Sequence, residues 1–291
     1  MATRFDLREF LMSRRAGVTP DQVGLPAGGG RRRVAGLRRE EVAIVAGISV
    51  EYYTQLERGN ARGVSDDVLE AIARVLQLDD TERAHLFDLV RAANARPTRR
   101  RPTPQGIRPG VQRVLDTITE GAAFVRNGRL DILATNRLAR ALYVDAFDSA
   151  GDPNLARFVF LDRRAPDFYA NWDRIADDAV GSLRAEAARD PYDRALTDLV
   201  GELSMRSEPF RIRWAAHTVR AYQTGTQPFR HPLVGRLDLA YEAFELPADT
   251  GQTLIVYAAP PDSPAQEALN LLASWAATPD GVPVARRRQV P

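Results

Sequence analysis

The chain has 291 residues, 44% of them hydrophobic and 27% charged, which leaves room for about two ordinary globular domains. It holds no cysteine and three histidines, His85, His217 and His231, which excludes disulfides, thiolate chemistry and sulfur-based zinc sites. The net charge of +2 hides an asymmetry: residues 1–110 carry 19 arginines against 14 acidic residues, while residues 111–280 carry 18 against 24. A basic front half fits contact with phosphates.

Phe5, Leu7, Phe10 and Leu11 predict a first helix. A glycine-rich loop, Leu25 to Val34, follows and carries Arg31, Arg32 and Arg33. Next comes Gly36-Leu-Arg-Arg-Glu-Glu-Val-Ala-Ile-Val-Ala-Gly47, a helix with apolar positions Leu37, Val42, Ala43 and Ala46. Gly47 supplies the permissive backbone of a turn, and Ser49 caps a second helix. Ile48, Tyr53 and Leu56 face inward there, and Val50, Glu51, Thr54, Gln55 and Arg58 face outward, with Gly59 at the end. This is a helix-turn-helix plan, whose second helix fits a major groove. Ser65-Asp66-Asp67 opens a helix through Val68, Leu69, Ile72, Val75 and Leu76, and Asp79 opens another through Leu86, Phe87 and Val90. That makes about five helices within residues 4–93.

The helical set resembles the lambda-repressor-like, or XRE, family, in which helices two and three form the motif. The run Tyr52-Tyr-Thr-Gln-Leu-Glu-Arg-Gly59, joined to Gly36-Leu-Arg-Arg-Glu-Glu-Val-Ala43, is similar to the MmyB-like branch of that family. The resemblance implies an ion pair between Glu57 and an arginine of the first helix, Arg14 or Arg15.

Residues 95–109 hold four prolines and no apolar periodicity, which marks a linker; Arg99 to Arg101 lie in it. Val111, Val114, Leu115 and Ile118 predict a helix. Ala122 to Ala134 reads as two strands around Asn127-Gly128, and Asn136 to Tyr143 as a helix. A long helix is expected over 167–189, with the stripe Trp172, Ile175, Ala176, Ala179, Val180 and Leu183; a further helix follows through Leu196 to Leu203. Strands return at Thr218–Tyr222, Gln227–His231, Gly235–Leu246 and Thr253–Ala258, before a closing helix from Pro264 to Trp275 and a tail after Pro279. Helices set between a hairpin and an antiparallel group imply an α+β domain. The expected layout is therefore 1–94 DNA-binding, 95–109 linker, 110–278 sensor and 279–291 tail.

This half also resembles the MmyB-like family, through Arg129-Leu-Asp-Ile-Leu-Ala-Thr-Asn136, Asn154-Leu-Ala-Arg-Phe158, Trp214-Ala-Ala-His-Thr-Val219 and Gly225-Thr-Gln-Pro-Phe-Arg-His-Pro232. The resemblance covers residues 4–275 and implies a PAS-like sensor domain for a small, often lipid-like molecule. Thr135 stands where that family usually has an aromatic residue.

No Gly-x-Ser-x-Gly elbow or His-Glu-x-x-His text occurs, and with no lysine there is no Ser-x-x-Lys, so neither a catalytic residue nor a metal ligand is assigned. No cofactor is expected. The candidate DNA contacts are Ser49, Val50, Glu51, Tyr52, Thr54 and Gln55 at the groove, with Arg31, Arg32, Arg33, Arg38, Arg39 and Arg58 near phosphates. A mostly apolar cavity is expected between the sheet and the helix at 167–189, with Trp172, Ile175, Ala179, Leu183, Trp214, Phe229, Leu239 and Tyr241 as candidate walls and Asn136, His217, Arg220 and His231 as polar anchors. The expected function is a regulator binding an operator in double-stranded DNA as a homodimer, its affinity set by a small hydrophobic, fatty-acid-like ligand. The competing readings are a dimerisation scaffold in place of the sensor and an enzyme fused to a helix-turn-helix. No run of about 18 apolar residues and no leader text occur, so no membrane span is expected and the chain reads as cytoplasmic.

Overall fold

A computed structural model gives the fold and describes residues 2–26, 36–94, 106–147, 152–216 and 224–277, with side chains from Asp6 onward. The chain divides into two compact units, Met1–Arg100 with Leu183–Ala221, and Arg101–Ser182 with Tyr222–Pro291. The division by packing is discontinuous along the chain. Residues 183–216, which the sequence placed wholly in the sensor, pack with the N-terminal helices.

The first unit opens with five helices: α1 Ala2–Gly17, α2 Arg39–Ala46, α3 Val50–Glu57, α4 Asp66–Val75 and α5 Asp80–Asn94. Their inward faces supply one core, built around Leu7, Phe10, Leu37, Tyr53, Leu56, Ile72 and Leu86. Caps fix the starts: Ser49 accepts from the Tyr52 N–H at 3.0 Å, and Ser65 accepts from Val68. Gly47 closes α2 in the left-handed region at φ 71°, and its N–H reaches back to the Ala43 and Ile44 carbonyls. Gly36 is needed for a different reason: a Cβ there would fall within 2.6 Å of the Arg15 and Ala16 backbone.

The second unit contains α6 Pro109–Thr117, β1 Ala122–Asn127, β2 Ile132–Thr135, α7 Arg137–Leu142, α8 Val144–Phe147, α9 Leu155–Leu161 and α10 Ala165–Phe168. Helix α11, Trp172–Arg189, begins in this unit, and the division between the units falls between its Ser182 and Leu183. Helices α12 Arg194–Arg206 and α13 Glu208–Ala215 return to the first unit. Strands β3 Thr224–His231, β4 Gly235–Glu245 and β5 Gln252–Ala258, then α14 Pro264–Ala277, complete the second.

The five strands form one antiparallel sheet in the order β2-β1-β5-β4-β3, which is the α+β, PAS-like class expected. Alternation sorts the faces. In β1, Ala123 and Val125 pack with Leu115 of α6, whereas Phe124 and Arg126 point to the other face. In β3 and β4 the alternating residues Gln227, Phe229, His231, Leu237, Leu239 and Tyr241 are buried.

The expected helix over 167–189 is two helices. Tyr169 makes an isolated antiparallel bridge to Phe229, and the Ala170 N–H donates to the Pro228 carbonyl at 3.2 Å, so the backbone between them turns to the sheet. The expected strand at 218–222 lies wholly outside the described residues. Helices α9 and α13 had not been assigned from periodicity. Each is announced by its cap, Asn154 accepting from Arg157 and Ser207 from Phe210.

Candidate functional site

The first site is the outer face of α3. Inward residues Tyr53 and Leu56 anchor the helix in the core, which leaves Ser49, Glu51, Tyr52, Gln55 and Arg58 exposed. Thr54 and Val50 are half-buried, and Val50 leans on the core. Behind this face stands Glu57, only 1% exposed. Its carboxylate accepts from Arg15 Nε at 2.8 Å and Nη2 at 3.1 Å, and from Arg39 Nε at 2.9 Å. Arg15 also donates to the Leu37 carbonyl at 2.7 Å. The triad therefore ties α1, the start of α2 and the end of α3 together. Burial alone would push the Glu57 carboxyl up; the bonds from Arg15 and Arg39 outweigh it and hold the carboxyl below its ordinary value.

Arg15, then, is the arginine that Glu57 uses, while Arg14 pairs with Glu82 at 2.6 Å. Arg39, expected at phosphates, commits its Nε and Nη2 to Glu57. Arg38 is exposed at the N-cap of α2, where its N–H donates to Glu41 at 2.7 Å. Arg31, Arg32 and Arg33 lie outside the described residues.

The second site is a cavity of about 50 Å³ in the second unit, between the sheet and α11. Phe124 and Arg126 of β1 and Ile255 and Tyr257 of β5 form its sheet side. Helix α11 supplies Ile175, Asp178, Ala179 and Ser182, and Leu155, Val159, Tyr143, Tyr169 and Leu130 close it. The walls are mostly apolar. The polar atoms come from Arg126, Asp178, Ser182 and the tyrosines, of which Tyr143 and Tyr257 place their hydroxyls 3.1 Å apart. Burial pushes the Tyr169 phenol far above its ordinary value, so it stays neutral.

Leu130, on the cavity wall, sits at φ 67°, a conformation a leucine adopts only when held there. Asp131 does the holding. Its carboxylate accepts from Asn127 at 2.8 Å and Asn154 at 2.7 Å, which ties the hairpin turn to the start of α9. Burial opposes that charge, but those two bonds and Arg129 keep the Asp131 carboxyl below its ordinary value.

Of the residues expected at the ligand, Ile175 and Ala179 line this cavity among those described. Asn136 is consumed by the backbone: it caps α7 through Ala139 and also bonds Ala123, Ile118 and Gly121. His231 is buried and neutral, since Nε2 donates to the Ala141 carbonyl at 3.1 Å and Nδ1 accepts from Leu233; burial lowers its pKa. Trp172 donates to the Val159 carbonyl at 3.0 Å. Phe229 sits in an aromatic cluster with Tyr143, Phe168 and Tyr257, and Tyr241 accepts from Arg174 at 3.1 Å. Trp214 belongs to the first unit. His217 and Arg220 lie outside the described residues. The one signal that pointed to Arg126 was its place in β1: it is the single charged residue in an otherwise apolar inward row.

Residues 107–272 match the model of the MmyB-like transcription regulator ligand binding domain, and residues 30–86 match a helix-turn-helix domain. The chain belongs to the MmyB-like family. No curated protein matches it. An MmyB-like regulator joins a DNA-binding module to a ligand-binding one, so this chain is a ligand-responsive transcription regulator. Both matched families are regulatory. In this MmyB-like chain no helix among the described residues is long and apolar enough to cross a membrane.

Proposed function

We propose that the chain binds an operator through α3 and that an acyl-type ligand, apolar with a carboxylate or carbonyl head, sets that affinity from the cavity of the second unit. The observation that carries this reading is the cavity itself: apolar walls with a buried guanidinium, Arg126, at their edge. Arg126 takes the head-group role first given to Asn136, His217, Arg220 and His231, because an arginine can hold a carboxylate with two charge-assisted bonds. On the DNA side, Glu51, Tyr52 and Gln55 face base edges, and Ser49, Arg38 and Arg58 flank them at the backbone. Regulation of this kind takes place in the cytoplasm, with two copies of the chain on two half-sites.

The cavity is small. At roughly 10–15 Å³ per water position, 50 Å³ holds only a few waters, so an acyl chain enters by spreading the walls. Ligands bind such a site by selecting its open form. The test is a screen of straight-chain acyl acids for a rise in melting temperature and a change in affinity for a duplex selected from a random pool. The reading expects both from the same acid, and expects Arg126→Leu to weaken acid binding at least tenfold. Acids that change neither would remove the acyl-ligand reading.

A further inference from the structure

Helix α11 serves both units. In the second, Ile175, Asp178, Ala179 and Ser182 make it the largest single contributor to the cavity wall. The opposing wall is a hydrogen-bonded sheet, in which β1 and β5 pair along six positions. A ligand too large for the cavity therefore displaces the helix more readily than the strands. In the first unit, the last turns of the same helix carry Arg184 and Ala188, and Ala188 belongs to the core built by α1 and α5. Arg184 lies about 7.5 Å further along the axis than Ala179, at 1.5 Å per residue.

Arg184 is set in a contact that can rearrange. Its side chain is 6% exposed, and its guanidinium lies 4.3 Å from the ring centre of Trp214, which stacks on Phe210 of α13. Its Nε finds no hydrogen-bond acceptor among the described residues. Beside it is a void of about 40 Å³, lined also by Asp6 and Phe10 of α1 and His85 and Leu89 of α5. Desolvation lowers the guanidinium to about 10, against the pull of Asp6, so the cation is held by packing more than by pairing. From Phe10, α1 runs one and a half turns to Arg15, which grips Glu57 at the end of α3.

We propose that α11 carries occupancy of the cavity to the DNA-binding helices, with the Arg184–Trp214 contact as the joint through which its displacement reaches α1 and α5. The inference rests on the reading of the cavity as the ligand site. Continuity of contact alone does not establish coupling, so the test measures coupling itself.

The experiment is a double-mutant cycle on the full chain, read as affinity for the selected duplex. Ala179→Phe fills the cavity in place of a ligand, and Trp214→Leu removes the seat of the guanidinium. Ala179→Phe should change the dissociation constant at least fivefold in an otherwise native chain and less than twofold in the Trp214→Leu background. Additive effects, or no effect of Ala179→Phe, would overturn the proposal. If Trp214→Leu melts below the assay temperature, Arg184→Lys replaces it in the cycle, since a lysine keeps the charge and loses the flat face. Calorimetry with dodecanoic acid separates the two claims. Failure of the acid to bind, with the cycle still non-additive, removes the acyl-ligand reading and leaves α11 as the coupling element.

Discussion

A carboxylate near the last turn of a helix works against the helix dipole, so Glu57 needs compensation. It receives two guanidinium groups, one from α1 and one from α2. Its effect on stability has a definite sign. The folded pKa lies below the ordinary glutamate value of about 4.5, so the contribution is fully present above about pH 4.5 and is lost as the pH falls through the lowered folded value. Glu57→Gln should cost about 2 kcal/mol, the scale of hydrogen bonds to a charged group, and should flatten the acid limb of the melting curve. A melting temperature within a degree of native at both pH 7 and pH 4 would show that the triad is incidental. The pairing with α1 was legible because Glu57 closes a familiar run of text. The second partner, Arg39, was not, since an arginine near a recognition helix reads equally well as a phosphate contact.

At the scale of elements, α3 is the clearest case of pattern becoming surface. Tyr53, Leu56 and Glu57 are buried and Glu51, Tyr52, Gln55 and Arg58 are exposed, as a 3.6-residue period requires. Gln55→Ala should therefore relax specificity at one base position at a cost of roughly 1–3 kcal/mol for the selected duplex, with little change on random DNA. Competition binding checks this, and an equal loss on both would remove Gln55 from base reading. Helices α4 and α5 and the β1–β2 hairpin were also readable, because caps and turn residues sit beside clear periodicity. What escaped was short or set by distant partners. The break at Tyr169 comes from a bridge to Phe229 some 60 positions along the chain; α9 is almost wholly apolar, and α13 places Phe210, Ile212 and Trp214 at alternate positions, so neither shows a helical period. The place of the cavity between the sheet and the long helix, with Ile175 and Ala179 on its wall, was legible in the sequence; the rest of its lining was not. The aromatic residues Phe229 and Tyr241 expected as walls fill the core instead, and small residues, Ala179 as expected and Ser182 beside it, leave the space.

At the scale of the molecule, the discontinuous division is the feature no local pattern announces. Leu183 to Ala221 leaves the sensor sequence to join the DNA-binding helices, so one helix, α11, is part of both units. A single α3 reads only a few base pairs, which leads to the expectation of a homodimer on two half-sites about one helical turn apart. Light scattering on a palindromic duplex should report two chains per duplex, and one chain at saturation would contradict it. The central claim is that occupancy of the cavity sets DNA affinity, and linkage makes that reciprocal. The most direct test is the dissociation constant of the full chain for its selected duplex, measured by anisotropy without and with a saturating acyl acid that raises the melting temperature. A change of fivefold or more is the predicted result; an unchanged constant with the acid demonstrably bound would contradict it.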